Sequence, residues 1–221
     1  MIKVSGLKKE IRYQKPLTVN DLEIEKGYIY TILGHNGSGK STLLKILYNI
    51  NDYDEGNIDI DEQGFCQEIA QRFISYNPQK ACFLRGTLKE NFDYIYKYSQ
   101  SENLLDKQEL CRLINEFKLE RKLKTDVKEL SGGEQAKAQF IRTLILNKDY
   151  VLLDEPMASL DFESRDLVEK KIKELKMKKK TIILVTHDFI QAKRLGEKII
   201  FMENLSLLGV YEPREFFKQI F

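Results

Sequence analysis

The run Gly34-His35-Asn36-Gly37-Ser38-Gly39-Lys40-Ser41 fits the pattern G-x-x-x-x-G-K-[ST] at every fixed position. Residues of these types at this spacing suit a chain of phosphates. Glycines let the backbone curl until its N–H groups converge on phosphate oxygens. A helix opening at the end of the loop adds the partial positive charge of its N-terminus. Lys40 reaches β- and γ-phosphate oxygens as a point charge, the Ser41 hydroxyl suits Mg2+, and Thr42 stands beside an α-phosphate. A plain glycine turn would need neither a strand before it nor a helix after it, and the sequence predicts both. The pattern implies a bound nucleotide and is silent on what that nucleotide drives.

Tyr150-Val151-Leu152-Leu153-Asp154-Glu155 is an apolar run ending in two acids. A strand covered on both faces must be apolar throughout, and ligands bind at the carboxyl ends of parallel strands. Asp154 is placed there to hold the Mg2+ shell, and Glu155 to polarise an attacking water. Two acids alone at a turn would read as solvated loop residues; the glycine loop gives them a substrate.

Leu130-Ser131-Gly132-Gly133-Glu134-Gln135 resembles the LSGGQ signature of ABC-type ATPases with one position changed. By itself S-G-G is a flexible turn, but here it opens a predicted helix shortly before the acidic strand, as in that family. The resemblance covers the chain from about Leu7 to Leu208. It implies ATP as the nucleotide and Mg2+ as its cation. It also implies that Ser131 and the Gly132 and Gly133 amides bind the γ-phosphate of ATP held by a second ATPase subunit, so that the chain works as a face-to-face pair. Gln79, in Tyr76-Asn77-Pro78-Gln79, resembles the Q-loop glutamine that touches Mg2+ and water at the joint to a helical subdomain. Asp161, in Ser159-Leu160-Asp161, resembles the D-loop acid that crosses the dimer interface. His187 resembles the switch histidine on the γ-phosphate, and Lys40, Gln79, Glu155 and His187 form the catalytic set.

Three places depart from the family pattern. The aromatic that stacks on adenine falls by count on Ile11, with Tyr13 two residues later; Tyr13 is preferred, through a shifted loop, and Ile11 stays open as a weaker apolar contact. Ala136-Lys137 stands where Gln-Arg is common. Met157-Ala158 follows Pro156 without an evident reason. None of these touches Lys40, Asp154, Glu155 or His187, so hydrolysis is expected to be intact.

Periodicity predicts the elements that must hold these residues. Ile2 to Val4, Leu17 to Ile24, Tyr28 to Leu33, Phe73 to Tyr76, Tyr150 to Asp154 and Thr181 to Thr186 read as strands, with a β-rich return from Lys198 to Val210. Helices follow near Lys40, from Ser131, and through Ile172. The expected fold is α/β, a P-loop NTPase core with a mostly parallel sheet and an antiparallel β subdomain on the N-terminal side. Residues 87–130 are polar and helical in pattern and read as an inserted helical subdomain, with 1–86 and 131–221 forming the core of one ABC ATPase domain. The lysine run Lys178–Lys180 reads as a solvated helix end.

Composition narrows the function. Of 221 residues, 36 are basic and 34 acidic, so a net charge of +2 gives no global footprint for nucleic acid, and none is expected as a partner. Cys66, Cys82 and Cys111 lack metal-ligand spacing and read as reduced thiols of a cytoplasmic protein. No apolar stretch reaches the roughly 20 residues of a membrane helix, and no signal peptide is evident. Three classes remain: the motor of a membrane transporter with a separate permease, a soluble ABC protein of translation, and a repair ATPase. Translation types usually carry two modules and repair types a long coiled coil, so the transporter is favoured, peripheral on the cytoplasmic face of the membrane, with integral-membrane permease subunits as partners. Gly86-Thr87-Leu88-Lys89-Glu90-Asn91 is exporter-like, yet Thr125 to Glu129 lacks the glycine exporters carry before the signature. Import of a small solute or anion is preferred.

Overall fold

The computed structural model describes residues 1–99, 101 and 103–220. Nine strands form one curled sheet: β1 (Ile2–Lys9), β2 (Leu17–Ile24), β3 (Ile29–Leu33), β4 (Glu55–Ile60), β5 (Ile74–Asn77), β6 (Tyr150–Asp154), β7 (Thr181–Val185), β8 (Lys198–Glu203) and β9 (Ser206–Tyr211), in the order β4-β1-β2-β9-β8-β3-β7-β6-β5. From β8 to β5 all pairs are parallel. β1 pairs antiparallel with β2 and β4, and β9 with β8. The expected α/β class, with a parallel core and antiparallel strands on the N-terminal side, is what the chain adopts.

Parallel strands buried on both faces explain the unbroken apolar runs. Tyr150 and Leu152 of β6, with Ile183 and Val185 of β7, pack into one core together with Leu43, Leu44, Ile46 and Leu47 of helix α1 (Lys40–Leu47). The alternate residues Val151, Leu153, Ile182 and Leu184 pack into a second core on the other face. That second core takes in helices α3 (Leu88–Tyr98), α4 (Lys107–Glu116), α5 (Gly132–Ile145) and α6 (Phe162–Met177). Strand parity thus decides which face each end residue meets. Asp154 shares the parity of Tyr150 and Leu152, so it faces α1.

Some elements differ from the sequence expectation. Phe73 ends a short helix, α2 (Gln67–Phe73), and β5 begins one residue later. β1 runs on to Lys9 because it is paired on both sides. Helix α7 (Phe189–Leu195) follows β7, and the β-rich return ends in helix α8 (Pro213–Ile220), whose Phe216 and Phe217 are buried with Leu33 and Ile199. The lysine run is only partly solvated: Lys178 and Lys179 are exposed, but Lys180 donates to the Asn147 carbonyl at 2.9 Å.

Candidate nucleotide site

Gly34 to Gly39 link β3 to α1 through a loop that tolerates almost no side chain at two points. A Cβ on Gly34 would run into the Met202 carbonyl oxygen, and one on Gly39, at φ 99°, would lie 2.7 Å from Leu17 Cδ1. Gly39 is the N-cap of α1 and offers no side-chain acceptor, so the amides of the first helical turn keep their donors for another partner. His35, Asn36 and Gly37 are exposed at the rim. Ser38 Oγ is buried without a hydrogen-bond partner. Lys40 curls back, its ammonium donating to the carbonyls of Gly34 at 2.8 Å and His35 at 2.9 Å. Burial lowers the Lys40 pKa, against the pull of Glu155 and Asp154. A loop of free amides, an orphaned hydroxyl and a buried cation fits a bound polyphosphate.

The end of β6 meets this loop. Ser41 donates its hydroxyl to Asp154 Oδ1 at 2.8 Å, and the Tyr76 hydroxyl donates to Asp154 Oδ2 at 3.2 Å. Burial pushes the Asp154 carboxyl up, opposed by these two hydroxyls. The Tyr76 phenol is pushed up too, by burial first and then by the Asp154 charge. Among the described residues no group of three His, Cys, Asp or Glu side chains forms a metal cage. Mg2+ needs none, since it keeps several waters and takes one or two protein oxygens beside substrate phosphates. Ser41 and Asp154 fit that demand.

Glu155 lies one residue beyond, in a left-handed conformation at φ 47°, with its N–H on the Val185 carbonyl at 3.1 Å. The strained turn aims its carboxylate between two neighbours. Gln79 Nε2 donates to Oε2 at 3.3 Å, and His187 Nδ1 lies 3.4 Å from Oε1. β5, β6 and β7 are adjacent, so Gln79, Asp154, Glu155 and His187 converge at the carboxyl ends of three neighbouring strands.

The other expected residues are held by partners of their own. Ser131 caps α5 in a reciprocal box, accepting from the Glu134 N–H at 3.3 Å while its own N–H donates to Glu134 Oε2 at 2.8 Å. That leaves the Ser131 hydroxyl proton and the Gly132 amide facing solvent at a helix start. Gly133 lies close to the Ser159 carbonyl. Asp161 caps α6, accepting from the Ser164 N–H at 2.8 Å. Tyr13 is 89% exposed in a turn, with the Arg12 guanidinium over its ring, whereas Ile11 packs against the core.

Sequence reasoning passed over Tyr76, whose role needs the register of β5 against β6. It also left Met157 unexplained. Met157 is 4% exposed and its sulfur accepts from Gln191 Nε2 of α7 at 3.2 Å, so the position is a packing one. Lys137, where the family has arginine, lies 3.9 Å from Asp161.

Residues 17–158 match the family described as ABC transporter. The tungstate uptake system ATP-binding protein of Peptoclostridium acidaminophilum is 35% identical over 204 residues, covering 92% of this chain and 94% of that protein. The chain belongs to the ABC transporter family. This ABC protein is also 34% identical over 210 residues to the molybdate/tungstate import ATP-binding protein of Methanocaldococcus jannaschii, covering 92% of the chain and 68% of that protein. Its fold superposes on a dimeric ATP-binding cassette in a post-hydrolysis state bound to ADP and Pi, with a TM-score of 0.83, 26% identity, and coverage of 97% of the chain and 99% of the cassette. The ABC chain is an ATP-binding and ATP-hydrolysing transporter subunit.

Proposed function

We propose that this ATPase drives import of a small solute or anion through a separate integral-membrane permease, hydrolysing Mg2+-ATP between two copies of the chain. The observation that carries the reading is the convergence at the end of β6, where Ser41 meets Asp154, and Gln79 and His187 flank Glu155. Lys40 and the Gly34–Thr42 backbone hold the phosphates. Mg2+ held by Ser41, Asp154 and Gln79 would neutralise β- and γ-phosphate charge. Glu155 accepts a hydrogen bond from the attacking water and turns its lone pair toward the γ-phosphorus. His187 donates to the γ-phosphate. Tyr13, an exposed aromatic, stacks on adenine.

The exposed hydroxyl of Ser131 and the Gly132 and Gly133 amides supply an anion site at a helix start, suited to the γ-phosphate held by a second copy. Asp161 lies at the same interface. Residues 87–130 form the helical insert, and 1–86 with 131–221 the nucleotide-binding core. Among the described residues no helix is long and apolar enough to cross a membrane. In this reading the permease is a different chain, and the ATPase sits against its cytoplasmic face. Relatives named for tungstate and molybdate favour a tetrahedral oxyanion as cargo. The test is isolation of the tagged chain from membranes. A permease should co-purify, and proteoliposomes holding the complex and its solute-binding protein should take up tungstate when ATP is supplied on the ATPase side. Outward flux overturns the direction, and a membrane preparation from which the tagged chain comes away with no permease overturns the transport role.

A further inference from the structure

Strand β5 and the loop after it give one neutral donor to each acid at the end of β6. Gln79 serves Glu155, and Tyr76 serves Asp154. Tyr76 lies opposite Leu152 in the β5–β6 register, on the face that Asp154 also uses. Asp154 is 1% exposed and Tyr76 9%, so bulk water does not compete for this bond. With Ser41 on Oδ1 and Tyr76 on Oδ2, both carboxylate oxygens are held and the group has one orientation. The Tyr76 ring is itself fixed against Tyr48, the residue that caps α1 at its C-terminal end, with ring centroids 5.4 Å apart. The helix that carries Ser41 therefore also anchors the phenol.

We propose that Tyr76 is a positioning residue for the cation site, its hydroxyl holding Asp154 in the orientation that turns Oδ1 to Ser41. The proposal rests on the reading of Ser41 and Asp154 as the Mg2+ cradle. Removing the hydroxyl leaves Oδ2 as a buried acceptor without a partner. The carboxylate then turns to share the Ser41 hydroxyl, and the cation loses a prearranged oxygen. Groups that hold a metal-binding carboxylate in place typically matter about tenfold or more in metal affinity.

The probe is Mn2+ titrated into the full chain with saturating ADP and followed by electron paramagnetic resonance. Tyr76→Phe keeps the ring and should raise the Mn2+ half-saturation by about tenfold, while ADP affinity in EDTA stays at the wild-type value. Tyr48→Phe, which removes a neighbouring phenol but no bond to Asp154, should leave Mn2+ binding unchanged. In turnover assays Tyr76→Phe should need more Mg2+ for half-maximal rate, with KM for ATP unchanged once Mg2+ is saturating. Wild-type Mn2+ affinity in Tyr76→Phe overturns the role, and so does an equal loss in Tyr48→Phe, which would point to packing alone. Failure of the wild-type chain to take up Mn2+ with ADP overturns the cradle itself.

Discussion

Glu155 adopts a left-handed backbone that a side chain disfavours, at a cost of about 1–3 kcal/mol. The bond from its N–H to Val185 and the turn closed by the Ala158 N–H on the Glu155 carbonyl hold it there. Strain kept at one acid between Gln79 and His187 suits a group that must point at a substrate. Glu155→Gln should keep ATP affinity and lower turnover about a hundredfold or more, because the water loses its oriented base. The variant should accumulate as an ATP-bound dimer on size-exclusion chromatography, and near-normal hydrolysis would remove Glu155 from this role. Tyr13 and Ile11 make a second contrast at this scale. Stacking on a base is present in ground and transition states alike, so Tyr13→Ala should raise KM for ATP more than it lowers kcat. Ile11→Ala should instead lower the melting temperature, since Ile11 packs against the core. The reverse pattern would move the adenine contact to Ile11.

Among the elements, α5 shows how one residue type serves both fold and site. Glu134, which replaces the glutamine of the LSGGQ pattern, completes the capping box with Ser131 and lies 3.0 Å from Lys122. A cap of this kind is worth about 1 kcal/mol, so Ser131 contributes to stability beside the anion-binding role proposed for it. The antiparallel strands are tied to the parallel core by Asp61 at the end of β4. Its carboxylate accepts from the Tyr150 hydroxyl at 3.0 Å, pairs with Lys26 at 2.7 Å, and meets the Met1 amino group. Burial pushes this carboxyl up, but Lys26, the Met1 amino group and Tyr150 together outweigh burial and hold it below its ordinary value. A depressed acid adds stability above its unfolded pKa and loses it as pH falls through the folded one. Asp61→Asn should therefore lower the urea midpoint at pH 7, and the gap from wild type should close below about pH 4. A gap that stays constant with pH would assign the loss to geometry alone.

At the scale of the whole molecule, the glycine loop and acids form one cluster, while Ser131 is occupied with its own helix. An interface closed around two nucleotides should be weak without them, so the isolated chain should be mostly monomeric until ATP is added. Turnover should rise more than linearly with protein concentration. Chains carrying Ser131→Arg and chains carrying Lys40→Ala should each be poor alone and recover on mixing. In the mixed dimer one site keeps both its glycine loop and the opposing Ser131, while the other loses both. Random pairing restores about a quarter of the sites. Linear activity and no recovery on mixing would overturn the shared site.

The amino-acid sequence alone pointed to the chemistry proposed for the short runs. Gly34 to Thr42, Asp154-Glu155 and Ser131 to Gly133 are legible because each works through its own backbone and the helix or strand it opens or ends. The parallel core was legible too, since strands covered on both faces must be apolar throughout, as β6 and β7 are. Edge strand β4 was not, because Glu55-Gly56-Asn57 is polar and becomes strand only by pairing with β1. α8 escaped notice as well; its aromatic pair reads as a helix face only against Leu33 and Ile199. Tertiary structure alone decided that Ile11 is packed and Tyr13 free, that Met157 lies against Gln191, and that Tyr76 holds Asp154. Such contacts join residues far apart in the chain, and their partners are chosen by strand order and register, which no local pattern encodes.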